Sequence, residues 1–391
     1  MEIENAVLFE FIFTFARTVR GMSYFKKAIV FAFSVKLLYI IIGNLFPGGW
    51  NGFDHILDVL SRNDSGWYHQ IARDGYPLTP PVAGEQSPFA FFPLYPSLIA
   101  ILRPVLLLFT QNRDLVFLLS AFVLHMVTTV LWVKVVFKYL DTKGFTEKQI
   151  FIFLALFQCI PFHYFYHVFY SEQLFSVLVF WLLFAAQKRL VIQTATAAFL
   201  LTLCRPTGIM ISLGVGFMVL YEEGWLSIFK SKAGLSVLFS LIAAPLALIL
   251  WSVYLQYHCG DALAFSHSQG AWGRQYTWPW ESLFPNGYWY VQLVSAYVVF
   301  LFLLTIWLFR FAGLGEKLFM GINMIFPLIT GNVTSYYRFM SVLPPFFIRL
   351  VGILERRWMV IGTVLMIVNL CLFYVWVSLT GGKSPVEWLS F

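Results

Sequence analysis

The amino-acid sequence predicts an all-α protein that crosses a membrane many times. Of its 391 residues, 60% are hydrophobic and 12% are charged, whereas about a quarter of the residues in soluble domains are charged. The mean hydropathy is +0.76, and apolar runs close to the roughly 20 residues that a spanning helix needs recur along the chain. A transmembrane barrel would instead alternate polar and apolar residues in short strands, so the continuous runs predict helices.

About eleven apolar runs are candidate membrane-spanning helices, several of them short. They are 25–46, 115–137, 149–165, 172–187, 190–204, 207–221, 234–257, 289–309, 318–333, 339–354 and 358–380. Residues 93–109 are expected to form a juxtamembrane or re-entrant segment that does not cross the membrane, with a break at Arg103-Pro104. The first 22 residues predict an interfacial helix rather than a signal peptide. We expect residues 1–391 to form one integral-membrane domain.

Lysine and arginine residues collect in every second loop, which predicts the orientation because cytoplasmic loops retain them. This pattern places two long loops, 47–114 with its juxtamembrane segments and 258–288, on the non-cytoplasmic face. The formal charge of +7 then reflects topology, and we expect no binding of nucleic acid. Four scattered cysteines without CxxC spacing indicate neither a metal knuckle nor a disulfide framework.

The first long loop carries carboxylates among aromatic side chains, a composition suited to chemistry on a carbohydrate. Asp64 is the leading candidate for a general base, because a hydroxyl that attacks a sugar loses its proton to a group within hydrogen-bond reach. Trp67, Tyr68 and His69 follow it and are of the types that stack on sugar rings. Four other acids of the loop stay open as alternatives: Asp54, Asp58, Asp74 and Glu85. Each acid could instead be solvated or cap a helix.

Two arginines at predicted membrane edges, Arg205 and Arg338, are candidates for holding a phosphate. The guanidinium group is a planar fork of donors that matches phosphate oxygens and stays charged when partly desolvated. Ionisable residues at such positions are energetically costly and often functional. The alternatives are that each arginine snorkels to the interface or pairs with an acid such as Glu172.

The turn at 161–171 and the second long loop supply further candidates for substrate binding. These tentative candidates are His163, His167, Tyr170, Glu172, Gln269, Trp272 and Arg274. His163 and His167 are four residues apart and would share a face of a helix, but no acidic third ligand follows in register. We therefore predict no metal site. Glu172 could instead cap a helix N-terminus, and the aromatic side chains could form a belt at the headgroup level.

Six short motifs follow one another along the chain. They are RND at 62–64, IARDGYP at 71–77, AFFPLYP at 90–96, FYSEQLF at 169–175, CRPTG at 204–208 and SYYRF at 335–339. In this order they resemble the PIG-V family, which comprises GPI mannosyltransferase II and its bacterial relatives, over most of the chain. The family commonly has Trp before the acid of the first loop, where this chain has Asn63. It has Arg-x-Asn-Gly where this chain has Arg205-Pro206-Thr207-Gly208.

The resemblance implies a GT-C glycosyltransferase that acts on the non-cytoplasmic face of its membrane. Its donor would be a polyprenyl-phosphate sugar, typically dolichyl-phosphate mannose in eukaryotes, and its acceptor a hydroxyl group on a glycolipid, glycan or protein. The acid of the family's first loop maps onto Asp64, and the anomeric carbon is expected to invert. No cofactor or tightly bound metal is expected. The likeness to bacterial relatives favours a bacterial inner membrane, with the endoplasmic reticulum as the site in a eukaryote.

Two functions of other classes stay open. One is a transporter or flippase for a lipid-linked sugar, in which the same arginines would bind the headgroup. The short basic loops opposite the acidic loop argue against it, because a transporter needs access from both faces. The other is a non-catalytic subunit that holds a partner transferase.

Overall fold

The structure, a computed structural model, describes residues 21–45, 56–224, 228–284, 289–331, 333 and 335–380. The interfacial helix predicted for the N-terminus lies almost wholly outside the described residues, as does Asp54. The described chain is helical and contains no strand. The prediction of an all-α protein is confirmed.

Sixteen α-helices occur in the described residues. They are α1 (Tyr24–Asn44), α2 (Asp64–Asp74), α3 (Leu94–Leu106), α4 (Arg113–Thr142), α5 (Glu147–Cys159), α6 (Glu172–Gln187), α7 (Val191–Cys204), α8 (Gly208–Glu223), α9 (Lys232–Cys259), α10 (Ala264–His267), α11 (Pro279–Leu283), α12 (Trp289–Phe309), α13 (Leu314–Ile325), α14 (Tyr336–Met340), α15 (Pro344–Leu354) and α16 (Trp358–Thr380). Each of the eleven predicted apolar runs overlaps at least one of these helices.

Four described segments are long and apolar enough to cross a membrane, judged by length and composition. They are Arg113–Thr142, Lys232–Cys259, Val291–Phe309 and Pro344–Ser378. These segments support a membrane protein. Other apolar helices are shorter, α6 and α7 among them, so the number of spans stays a prediction.

Helix α3 differs from the expected break at Arg103-Pro104, because it continues through both residues to Leu106. Proline lacks an N–H group and therefore leaves the carbonyl of Ala100 without its helical partner, but this loss falls in the last turn. The guanidinium of Arg103 also donates to the carbonyl oxygen of Ala72, which holds that turn against α2. At 13 residues and about 1.5 Å per residue, α3 is too short for a bilayer core of about 30 Å.

The turn between α7 and α8 is tight because Gly208 begins α8 directly against the preceding helix. A Cβ atom at Gly208 would lie 2.6 Å from the carbonyl carbon of Leu201. Only glycine allows this approach without displacing the backbone. The turn presents Arg205, the C-cap of α7 with extended backbone, beyond the end of both helices.

One end of the helical bundle, here called the loop end, gathers segments that carry four of the six sequence motifs in whole or in part. The loop end comprises residues 56–63, 160–171, 205–207, 260–284 and the described residues of 326–343. The backbone N–H of Phe169 donates to the carbonyl of Leu60 at 2.8 Å. The hydroxyl of Tyr166 donates to the carbonyl of Ser341 at 2.9 Å. Segments more than 100 residues apart therefore meet at this end.

The opposite end is rich in lysine and arginine and is here called the basic end. It comprises the turns 143–146, 188–190, 228–231, 310–313 and 355–357. Lys143 lines one cavity together with Arg189 and a second cavity together with Arg310. The alternation of basic loops seen in the sequence thus corresponds to one end of the bundle.

Candidate active site

Four charged side chains from distant parts of the chain form one ion-pair cluster at the loop end. Arg338 joins two carboxylates, because its Nη1 lies 2.7 Å from Asp64 Oδ2 and its Nε lies 2.5 Å from Glu172 Oε1. Arg205 Nη1 lies 2.7 Å from the same oxygen of Glu172. The cluster fixes the relative positions of α2, α6, α14 and the turn after α7.

Asp64 begins α2 and is held there by contacts to the segment before α6. The hydroxyl of Tyr170 accepts a hydrogen bond from the backbone N–H of Asp64 at 3.3 Å, and Ser65 Oγ donates to the carbonyl of Phe169 at 3.2 Å. Asn63, the N-cap, has φ 47° and ψ −115°, which is unfavourable for a residue with a side chain. Such strain persists only where surrounding contacts impose it and is common at functional sites.

Glu172 is the buried centre of the cluster. Its side chain is 0% exposed, and it is the first residue of α6, where the helix dipole favours negative charge. A buried carboxylate is tolerated only when opposite charges and hydrogen bonds compensate for its desolvation. Arg205 and Arg338 supply that compensation, so both arginines are already engaged by the protein.

Arg274 is the cation of the site that has no carboxylate partner among the described residues. Its Nη1 donates to Gln269 Oε1 at 2.5 Å, and its guanidinium lies 6.0 Å from the ring centroid of Phe339. The guanidinium of Arg205 lies 5.5 Å from the centroid of the same ring. Burial, and to a smaller extent the charges of Arg205 and Arg338, lower the pKa of Arg274 to about 10, although Asp64 opposes this shift. At neutral pH Arg274 is still protonated.

The balance of charge at this site is positive, with three arginines facing two carboxylates. In a partly desolvated setting an excess cation is energetically costly, and a bound anion would neutralise it. Arginine is suited to phosphate because its donors contact two oxygens at once. The four-residue cluster is itself neutral, so the excess positive charge of the site is that of Arg274.

A cavity of about 290 Å³ opens onto this cluster, near the lower limit of the roughly 300–1,000 Å³ typical of small-molecule sites. Its polar lining includes Asp64, Arg205, Arg274 and Arg338. Its apolar walls include Phe91, Phe92, Phe265, Trp272, Phe326 and Phe339. A cavity that combines charged side chains with aromatic walls suits an amphiphilic ligand that carries both an anionic and an apolar part.

The loop that carries Arg274 is held against the segment after α13 by two backbone hydrogen bonds. Gln275 N–H donates to the carbonyl of Thr330, and Thr277 N–H donates to that of Ile329, each at 3.0 Å. The second long loop therefore closes one side of the cavity.

Seven of the residues predicted for the site line the cavity. They are Asp64, Tyr68, Arg205, Gln269, Trp272, Arg274 and Arg338. Glu172 and Tyr170 contact Arg338 beside the cavity; the guanidinium lies 4.7 Å from the Tyr170 ring. Trp67 supports the wall, since its ring packs 6.0 Å from that of Trp272 and 6.1 Å from that of Phe91.

His69 does not line the cavity. Its ring stacks on Phe117 with centroids 4.4 Å apart, and Nε2 lies 3.6 Å from Asp114 Oδ1. Burial lowers the pKa of His69 to about 4, although Asp114 opposes this shift. Because His69 lies five positions after Asp64 in the helix, it projects from a different face of α2.

His163 and His167 lie in the packed interior rather than in the cavity. Nδ1 of His163 is hydrogen-bonded to the carbonyl of Phe157, whereas His167 stacks on Tyr39 at 4.7 Å. The segment His163–Tyr166 is a short 3-10 helix, so the two rings reach different partners. The described residues contain no group of three or more His, Cys, Asp and Glu side chains suited to a metal ion.

Sequence reasoning predicted Trp272 but missed the phenylalanine side chains that form the rest of the aromatic walls. Phe91 and Phe92 lie in AFFPLYP, and Phe339 directly follows Arg338 in SYYRF. Their position inside these motifs was the sequence feature that could have marked them as residues of the site. In a chain with 43 phenylalanines, composition alone could not separate wall residues from core residues.

Comparisons with protein-family models, with curated proteins and with solved structures give no match. The resemblance to the PIG-V family therefore stays a prediction, as does the GT-C fold.

Proposed function

We propose that the protein is an inverting membrane glycosyltransferase that moves a sugar from a polyprenyl phosphate to a hydroxyl group. The observation that carries this proposal is the aromatic-walled cavity in which one carboxylate, Asp64, lies among three arginines with an excess positive charge. A polyprenyl-phosphate sugar combines a lipid, an anion and a carbohydrate. The cavity offers apolar walls, arginines and a carboxylate to these three parts.

The donor phosphate would lie between Arg274 and Arg205, whose guanidinium groups both lie near the ring of Phe339. Arg274 lacks a carboxylate partner in the described part of the chain, whereas Arg338 is shared between Asp64 and Glu172. Negative charge develops on the phosphate as the sugar departs, and fixed cations stabilise that charge most strongly in the transition state. Arg205 and Arg274 would therefore contact the phosphate directly. Arg338, which is bound to Asp64, would contribute its positive charge from beside that carboxylate.

Asp64 would be the general base. Its Oδ2 is held by Arg338, which orients the carboxylate toward the cavity that it lines. The acceptor oxygen would form a bond to the anomeric carbon while its proton moves to Asp64. The bond from that carbon to the phosphate oxygen would break, and its electron pair would leave with the polyprenyl phosphate. Attack from the face opposite the leaving group inverts the anomeric carbon.

The remaining parts of the proposal come from the sequence. The resemblance suggests mannose as the sugar, a GT-C fold and a β-linked donor that yields an α-mannoside. The alternation of basic loops supports a cavity on the non-cytoplasmic face, either in a bacterial inner membrane or in the endoplasmic reticulum. The acceptor would be a hydroxyl group on a glycolipid, glycan or protein.

The full chain, purified into liposomes with radiolabelled polyprenyl-phosphate mannose and a membrane lipid extract, tests this function. Asp64→Asn should lower transfer by about 10²–10⁴-fold, the usual contribution of a positioned base. Asp74→Asn is the matched control, because Asp74 ends the same helix but pairs with exposed Arg73 at 2.8 Å and lies outside the cavity. The control should transfer label like the wild type.

Other results would contradict parts of the proposal. Equal transfer by the Asp64→Asn variant would remove Asp64 as the base but keep the enzyme class. Movement of intact donor across the bilayer without a new product would favour a transporter. Donor binding without transfer, restored by adding a membrane extract that supplies another transferase, would favour a partner subunit.

A further inference from the structure

A second cavity, of about 450 Å³, lies at the basic end of the bundle. It is lined by residues from the C-terminal end of α4, the turn after α12, and helices α13 and α15. The candidate span Val291–Phe309 ends immediately before Arg310, which lines this cavity. The cavity is therefore at the level where a spanning segment would leave the bilayer, and it is separate from the site at the loop end.

The charged lining of this cavity has an excess of two positive charges. Lys143, Arg310 and Arg349 face a single carboxylate, that of Glu316. Glu316 already forms an ion pair with Arg349, whose Nε lies 3.2 Å from Glu316 Oε2. Within the described ranges, Lys143 and Arg310 pair with no carboxylate. Both cations are thus available to an anion.

The cavity also has an exposed aromatic and apolar rim. The guanidinium of Arg310 lies 4.6 Å from the ring of Trp307 and 4.9 Å from that of Phe311. Phe311 is 87% exposed and Ile353 is 52% exposed. Acyl chains would cover these apolar side chains, whereas a soluble anion would leave them in contact with water.

We infer that this cavity binds the headgroup phosphate of an anionic glycerophospholipid such as phosphatidylglycerol. Lys143 and Arg310 contact the phosphate, while Phe311 and Ile353 contact the acyl chains. Basic pockets between membrane helices recognise anionic headgroups through this combination of cations and apolar surface. The site is independent of the transfer reaction proposed for the loop end.

A double variant, Lys143→Gln with Arg310→Gln, tests the site while leaving the ion pair between Arg349 and Glu316 intact. The matched control is Lys188→Gln with Lys230→Gln, which removes the same charge from the same end at residues that do not line the cavity. The full chain in neutral detergent is mixed with phosphatidylglycerol or phosphatidylcholine, and bound lipids are counted by native mass spectrometry.

Wild type and the control should bind phosphatidylglycerol in preference to phosphatidylcholine. The double variant should bind phosphatidylglycerol about 30-fold more weakly, as expected for the loss of two cations near a lipid headgroup. Phe311→Ser, at an exposed position that does not endanger folding, should also weaken phosphatidylglycerol binding, by about 3- to 10-fold.

Three results would overturn the inference. The first is equal affinity for both lipids in the wild-type protein. The second is unchanged phosphatidylglycerol binding in Phe311→Ser and in the double variant. The third is displacement of phosphatidylglycerol by millimolar inorganic phosphate, which would assign the cavity to a free anion. If the double variant fails to fold, the inference is still tested by the lipid preference of the wild-type protein, by displacement with inorganic phosphate and by the Phe311→Ser variant.

Discussion

Replacing Glu172 with glutamine should lower the free energy of unfolding by about 3–5 kcal/mol. The substitution keeps the shape of the side chain and one carbonyl oxygen but removes the negative charge. That charge lies within 2.5 Å of Arg338 Nε and 2.7 Å of Arg205 Nη1, in a side chain with 0% exposure. At an effective dielectric constant of about 20, unit charges about 4 Å apart attract by roughly 4 kcal/mol.

Two attractions are lost in this variant, and the two guanidinium groups are left facing a neutral amide. Part of the loss is offset because a neutral amide costs less to bury than a carboxylate. Broken buried ion pairs typically cost about 3–5 kcal/mol after such compensation, which sets the expected value. Asp64 remains as a partner of Arg338, so the protein should still fold.

Glu223→Gln is the matched comparison. Glu223 Oε1 lies 2.5 Å from Arg189 Nη2, but these side chains are 28% and 54% exposed. An exposed ion pair contributes about 0.2–1 kcal/mol. The free energy of unfolding can be measured in mixed micelles with increasing sodium dodecyl sulfate, followed by circular dichroism. If Glu172→Gln destabilised the protein no more than Glu223→Gln, burial would not set the strength of the cluster.

Three further predictions concern packing, binding and pH. Gly208→Ala should lower the free energy of unfolding by about 1–3 kcal/mol, because its Cβ would lie 2.6 Å from the carbonyl carbon of Leu201. Arg274→Gln should raise the KM for the donor by about 10- to 100-fold, as expected for a charged hydrogen bond, without a matching loss of stability. His69 has its pKa lowered to about 4 by burial, below the unfolded value of about 6.5. The unfolded state therefore takes up the proton first, and stability should fall as the pH drops from about 6.5 toward 4; His69→Phe should flatten this part of the stability profile.

Each of these predictions has a comparison that can contradict it. In Gly321→Ala, within α13, the added Cβ atom would meet no atom within 4 Å beyond the backbone of its own helix, so this variant should have an unchanged or slightly higher free energy of unfolding. If Gly208→Ala changed the free energy of unfolding no more than Gly321→Ala, the packing argument would be refuted. Arg73→Gln removes an exposed arginine outside the cavity and should leave the KM unchanged. A wild-type KM for Arg274→Gln, or a wild-type pH profile for His69→Phe, would show that the proposed interaction is absent.

The helical class and several polar residues that line the cavity could be predicted because their signals are local. A bilayer excludes unpaired backbone groups, so apolar runs of sufficient length must form helices. Asp64 and Tyr68 are four residues apart and share a face of α2, as expected from helical periodicity. The same periodicity places His69 on another face, so spacing alone could have separated it from the cavity. The expected break at Arg103-Pro104 was wrong because a tertiary contact to Ala72 outweighs a local proline signal.

The ion pairs of the site could not be predicted, because the paired residues are far apart in sequence. The sequence alone determined that this is a helical membrane protein with carboxylates and arginines in its loops, since hydropathy and helical periodicity depend only on neighbouring residues. Only the tertiary structure decided that Arg338 reaches Asp64 and Glu172, that Glu172 also engages Arg205, and that Arg274 is left without a carboxylate in the described chain. These outcomes depend on burial and on contacts such as that between residues 64 and 338, which only the packing of the helices brings together.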